Sequence, residues 1–148
     1  MHFLSRRSVL ALAAVLDVAL HARPVPVAAK ALAARQKLPP RHLETLLQAL
    51  VRANILKGVR GPRGGYELAR ERRRISAADI VRAAMSAAED DTTPLPESVL
   101  VSKVVDPVVE RATQAFLAEL EAVTIEEMCR RAGAQAVEGL VASVDFTI

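Results

Sequence analysis

The chain has 148 residues, 51% hydrophobic and 25% charged, which suits one globular domain with an extension and excludes a disordered tail. A single cysteine, Cys129, excludes an intramolecular disulfide and any zinc or iron–sulfur site built from several cysteines of one chain. The net charge of +3 hides an asymmetry: residues 1–75 carry 15 Lys/Arg against 4 Asp/Glu, and residues 76–148 carry 5 against 13. That split suits the first half to a polyanion, although composition alone leaves a general abundance of arginine as an equal explanation. No run of 18 apolar residues is present, so no membrane span is expected.

Arg6-Arg7 ahead of Val9–Leu16 has the outline of an export signal. Asp17 and His21 interrupt it, and Arg23 with two prolines occupies the region where cleavage would fall. Val9, Leu12, Ala13, Leu16 and Leu20 instead follow helical spacing, which predicts a helix from about Ser5, its cap, to His21, with those five positions facing the core. Arg23-Pro24-Val25-Pro26 breaks the chain. A short helix is expected at about Val27 to Gln36, with Ala28 and Leu32 inward and Ala31 beside them. Lys37-Leu38-Pro39 leads to a third helix, about Pro40 to Ala53, whose apolar face is Leu43, Leu46, Leu47, Leu50 and Val51.

Asn54 suits a left-handed helix end. The period then changes: Ile55 to Arg60 reads as a strand, Gly61-Pro62-Arg63-Gly64-Gly65 as a turn, and Tyr66 to Ala69 as the returning strand. Ser76 caps a fourth helix, about Ala77 to Ala88, with Ile80, Val81 and Ala84 inward. Acidic, proline-containing residues 89–96 read as a linker. Val101, Val105, Val109, Ala112, Phe116, Leu120 and Val123 recur at helical spacing, and Pro107 puts the regular start near Asp106. Thr124 with Glu127 forms a capping box for a last short helix to about Arg131, which Gly133 stops. The expected division is therefore a head at 1–88, a linker at 89–105, two helices at 106–132 and a weakly patterned tail at 133–148.

Three short helices followed by a glycine-tipped hairpin outline a winged helix-turn-helix: mainly α, with a small β-hairpin wing and a long C-terminal dimerisation helix. A helix fits the DNA major groove, and a hairpin beside it can lay a cationic tip along the backbone. Lys57, Arg60 and Arg63 supply that charge. Gly61, Gly64 and Gly65 allow close approach with N–H groups turned to phosphate. The apolar stripe on the long helix needs a cover, either a second copy or its own chain folded back. No Ser/His/Asp set, carboxylate pair or phosphate loop is present, so no enzyme activity is expected.

The stretches Val15-Leu16-Asp17-Val18-Ala19-Leu20-His21, Leu43-Glu44-x-Leu46-Leu47-x-x-Leu50 and, above all, Val59-Arg60-Gly61-Pro62-Arg63-Gly64-Gly65-Tyr66 resemble the Rrf2 family of transcription regulators over roughly residues 3–132. The resemblance implies a cytoplasmic homodimer, joined through Val109, Ala112, Phe116 and Leu120, on double-stranded DNA with a pseudo-palindromic operator. It places Arg41, His42, Glu44 and Thr45 in the major groove. Glu44 is either an acceptor for a cytosine amine or a first-turn partner of the helix dipole. Arg70, Arg72, Arg73 and Arg74 either touch flanking phosphate or form a solvated run.

Several family members hold an iron–sulfur cluster on three cysteines between the fourth helix and the long helix. Here residues 87–106 contain no cysteine: Thr93, Lys103 and Asp106 stand near the ligand positions, and Ser8 and Leu12 offer nothing comparable in the first helix. No cofactor or metal is therefore expected. Cys129 is either a small buried hydrophobe or a redox-sensitive thiol beside Arg130 and Arg131. The expected function is sequence-specific transcriptional regulation as a homodimeric repressor without a cluster. The alternatives are a regulator responding to thiol state or to a small molecule held between head and dimer helix, and a helical interaction module that does not bind DNA.

Overall fold

Ser5 opens the first helix, its hydroxyl accepting from the Ser8 N–H at 3.2 Å, and α1 runs Arg6–His21. The structure, a computed structural model, describes residues 3–86 and 94–145, with residues 136–145 as backbone alone. The core face of α1 is not the expected one. Ser8, Ala11, Ala14, Val15, Asp17, Val18 and Ala19 are buried, whereas Val9 and Leu20 are exposed and Leu12, Ala13 and Leu16 only half-buried. Two forces turn the helix. The alanine-rich face of α4 (Ala77–Ser86) approaches closely only against small residues, and Asp17 must face inward to meet its partners.

Those partners lie on α2, Ala29–Gln36. The Arg35 guanidinium grips the Asp17 carboxylate edge-on, Nε to Oδ2 at 3.0 Å and Nη2 to Oδ1 at 2.8 Å, and the Gln36 amide donates to Oδ2 at 2.7 Å. Burial pushes the Asp17 carboxyl upward. The hydrogen bonds from Arg35 and Gln36, with the charges of Arg35 and His21, outweigh that and hold it below the usual carboxylate range.

α2 ends at Lys37 in the left-handed conformation (φ 53°), and Leu38-Pro39 leads into α3, Pro40–Arg52. Leu32 is buried, but Ala28 is exposed and Ala31 half-buried. Val27 has left the helix to pair with Tyr66. Leu43, Leu46, Leu47 and Leu50 of α3 are buried as expected, whereas Val51 is exposed. Asn54 takes the left-handed cap (φ 58°), and the hairpin follows as β1, Leu56–Val59, and β2, Gly65–Leu68, in antiparallel register with Leu56 opposite Leu68.

A reciprocal box starts α4: the Ser76 hydroxyl accepts from the Asp79 N–H at 3.0 Å, and the Asp79 carboxylate accepts from the Ser76 N–H at 3.1 Å. The expected last turn, residues 87–88, and the acidic part of the linker, residues 89–93, lie outside the described residues. The regular long helix starts at Asp106 as expected, but helical turns precede it. Ser98 accepts from the Val101 N–H at 3.1 Å, a π-type turn covers Val101–Val105, and α5 continues as Asp106–Glu121. Pro107 has no N–H to offer the carbonyl of Lys103. The wider π turn absorbs that misfit, so the helical path runs without a break into the regular helix at Asp106.

Thr124 opens the last helix by accepting from the Glu127 N–H at 3.2 Å. That helix, α6, spans Ile125–Asp145, so Gly133 does not stop it and residues 133–145 are helical. A glycine inside a helix costs only about 1 kcal/mol, and alanines flank this one on both sides. The start of α6 is tied to the head: Ala77 N–H donates to Val123 at 2.8 Å, Ile125 N–H donates to Ile75 at 2.9 Å, and Ile125 is fully buried in the head's core.

Asp17→Asn is expected to lower unfolding stability at neutral pH by about 2 kcal/mol, because the forked pair is lost inside the fold. A carboxyl depressed by folding contributes fully above its unfolded pKa of about 4 and loses that contribution as pH falls through the lower folded value. Urea midpoints of wild type and variant should therefore differ at pH 7 and converge in strongly acidic buffer.

Candidate nucleic-acid interface

The outer face of α3 and the hairpin tip both carry exposed cationic groups. Arg41, His42, Glu44 and Thr45 are all exposed on α3, opposite its leucine face. No side chain caps the start of α3, where Pro39 and Pro40 stand, so its first-turn N–H groups and positive dipole end face outward. The Thr45 hydroxyl donates back to the Arg41 carbonyl at 3.3 Å.

The wing is fixed to the helical part by a third extended segment. Val27 and Tyr66 exchange backbone hydrogen bonds of 2.9 and 2.8 Å, so the wing cannot swing away from the connection before α2. Its charges are not equivalent. Lys57 pairs across the strands with Glu67 at 3.0 Å, which neutralises it in part. Among the described residues, Arg60 and Arg63 make no ion pair, and both are exposed.

The glycines have internal duties that the sequence pattern does not reveal. A Cβ on Gly65 would collide with the Val27 carbonyl, and one on Gly64 with the Val59 carbonyl. The Gly64 N–H donates to Gly61 at 2.9 Å, so it is not turned outward to phosphate as expected. Gly61, at φ +121° with open space around it, is the tip residue whose conformation excludes a side chain.

The arginine run after the hairpin is mostly spent on the fold. Arg70 donates to the Asn54 carbonyl at 3.1 Å and to that of Arg74 at 3.3 Å, Arg72 donates to Ala19, and Arg73 pairs with Glu71 at 2.7 Å. Cys129 is buried against the head. Burial pushes its thiol up, with Arg72 opposing, while Arg130 and Arg131 turn to Glu127 instead. The α5 positions Val109, Ala112 and Phe116 are exposed and Leu120 is half-buried; α5 contributes no buried residue.

A helix-turn-helix with its outer helix cationic and uncapped, flanked by a wing with an arginine tip, defines a winged-helix DNA-binding transcription regulator. A profile of the Rrf2 family, described as an iron-dependent transcriptional regulator, matches residues 4–131. The chain belongs to the Rrf2 family of transcriptional regulators and is not an enzyme. The HTH-type transcriptional regulator slr0846 of Synechocystis is 34% identical over 130 residues, covering 84% of this chain and 86% of that protein. The regulator IscR of Xenorhabdus nematophila is 40% identical over 73 residues, covering 49% of this chain and 44% of that protein. Among solved structures, T. potens IscR superposes with a TM-score of 0.69 at 31% identity, covering 88% of both chains. The B. subtilis cysteine regulator CymR has the same fold, with a TM-score of 0.65 at 24% identity over 88% of this chain and 98% of that one.

The donor set does not fit an iron–sulfur cluster. The sole cysteine of the sequence is buried on α6, and among the described residues no three His, Cys, Asp or Glu side chains come together as a metal site.

Gly65→Ala is expected to destabilise the head by about 1–3 kcal/mol, because the Val27 strand must move aside. Gly58→Ala, with nothing within 4 Å of the added carbon, should shift stability far less. Thermal melts of the two variants would show the contrast.

Proposed function

We propose that this chain acts in the cytoplasm as a homodimeric, sequence-specific repressor without an iron–sulfur cluster. The observation that carries the dimer is α5. Its residues Val108 and Val109 are 66% and 55% exposed and Phe116 is 39% exposed, an apolar stripe on a helix that projects beyond a finished core. A second copy related by a two-fold axis covers such a stripe with itself and sets two heads on a pseudo-palindromic operator. Each head lays the start of α3 in the major groove, with Arg41, His42, Glu44 and Thr45 facing the bases and phosphates. Arg60 and Arg63 hold the backbone from the wing, while Lys57 contributes less because Glu67 shares its charge. Occupying the operator excludes other proteins from the promoter, which is repression in its simplest form.

The uncovered stripe favours this over a regulator without partner copies, and the unpaired wing arginines favour it over an interaction module indifferent to DNA. Burial of Cys129 supports a core role for that thiol rather than sensing. Among the described residues no helix is long and apolar enough to cross a membrane.

Arg60→Glu combined with Arg63→Glu should weaken binding to the gene's own upstream DNA at least tenfold and flatten its salt dependence by about two phosphate contacts. Unchanged footprints at matched salt would defeat the wing reading. Phe116→Asp should convert the protein to monomers in sedimentation velocity and cost at least tenfold in operator affinity. A wild-type protein that sediments as a monomer would defeat the dimer.

A further inference from the structure

Arg6 and Arg7 open α1, and they differ in what they offer. Arg7 is half-buried and its Nε and Nη2 are enclosed, so that edge is closed to a ligand. Arg6 is exposed and, among the described residues, makes no ion pair. Its position is locally unfavourable. The first turn of a helix favours a carboxylate and disfavours a cation, yet α1 starts with two arginines and no acid. A cation kept where its own helix opposes it signals a role outside that helix.

Arg6 lines a half-open cleft of about 280 Å³ between the start of α1 and the start of α3, with Pro39 and His42 on the other side and no Asp or Glu in the lining. Lys37, just before the lining Leu38, and Arg41, just before His42, are exposed and, among the described residues, make no ion pair either. Of the acids in residues 3–75, Asp17 is spent on Arg35, Glu67 on Lys57 and Glu71 on Arg73. Glu44 remains, and it does not line the cleft. The cations are spread over α1, the α2–α3 connection and α3, all open to solvent, which suits an extended polyanion better than a small enclosed anion. The cleft also lies at the far end of α3 from the attachment of the wing: α1 meets the beginning of α3, whereas β1 follows its end. The 13 residues of α3 separate the two by about 20 Å.

We propose that Arg6 grips a backbone phosphate of duplex DNA beside the start of α3, so that the helix in the groove is held at its beginning by α1 as well as from the wing. The proposal rests on the DNA-binding reading above and adds the first helix to it. A contact of this kind fixes register and adds affinity without choosing a base.

Salt titrations of the full chain on the gene's own upstream duplex test it. Arg6→Ala should weaken binding at least threefold near 0.1 M salt and lower the slope of log affinity against log salt by about 0.9, the share of one phosphate. Arg6→Lys should restore most of both. Arg6→Glu should bind more weakly still and yet melt no lower than wild type, because an acid suits the start of a helix. Arg52→Glu makes the same charge change at the other end of α3 and should cost less. Phosphates whose ethylation interferes with wild type but not with Arg6→Ala should differ from those released by Arg60→Glu with Arg63→Glu. Lower melting of both Arg6→Ala and Arg6→Glu makes Arg6 a structural residue, and an equal loss in Arg52→Glu makes the effect one of overall charge; either overturns the contact. Identical sets of released phosphates overturn its placement. Unchanged affinity and slope in Arg6→Ala, with the wing variant still weakened, overturn the Arg6 contact and leave the DNA reading standing. A wild-type protein that binds no duplex defeats the reading and the contact together.

Discussion

The buried carboxylate of Asp17 governs the arrangement of the head. It sits in the C-terminal half of α1, its side chain withdrawn from water, and its charge is held by Arg35 and Gln36 at the far end of α2. A lone ion in that position would be untenable, so α1 and α2 have one relative placement that satisfies it. That placement carries the Lys37-Leu38-Pro39 connection, and with it the start of α3. The outward presentation of the turn proposed to face DNA thus descends from an ion pair whose carboxylate is buried.

The same economy appears in the wing. A hairpin of two four-residue strands has little stability alone. Here it borrows a third segment from Val27 and a fully buried base in Ile55 and Leu56. Gly65 serves that borrowing and Gly64 the turn itself, because each lets main chain come within contact distance of main chain. Residues that read from sequence as a nucleic-acid feature are first a packing feature, and the cationic tip is what remains free to face outward.

Much of this architecture was legible in the residues. The caps at Ser5, Ser76 and Thr124, the left-handed Asn54, the leucine face of α3 and the hairpin all have local causes, and local causes are visible in a sequence. The rotation of α1 was not legible. Its apolar residues lie nearly all round the helix, and only the need to bury Asp17 against a residue 18 positions away selects the small-residue face. Glu67 opposite Lys57 was hidden for a similar reason, since register decides it. The π turn before Pro107 has no sequence signal of its own, and the passage of α6 through Gly133 was misread because glycine signals a break only where nothing else holds the helix. Of the candidate interface, the residue types were legible, but which arginines are free was not. Arg70 and Arg72 are claimed by distant carbonyls, and Arg73 by a neighbouring carboxylate.

The join between the head and the C-terminal helices is small and rigid. Two main-chain hydrogen bonds link residues 75–77 to 123–125, and Glu121 at the end of α5 reaches Arg82 at 3.0 Å and the Ser76 hydroxyl at 3.3 Å. From that anchorage α5 extends 16 residues, a lever of about 24 Å. A lever multiplies any tilt at its pivot, so a loosened Glu121 would displace the distal tip by far more than it moves the anchorage itself. In the proposed dimer, the tolerance for altered distance between half-sites would be set at this pin, remote from both the proposed seam and the groove.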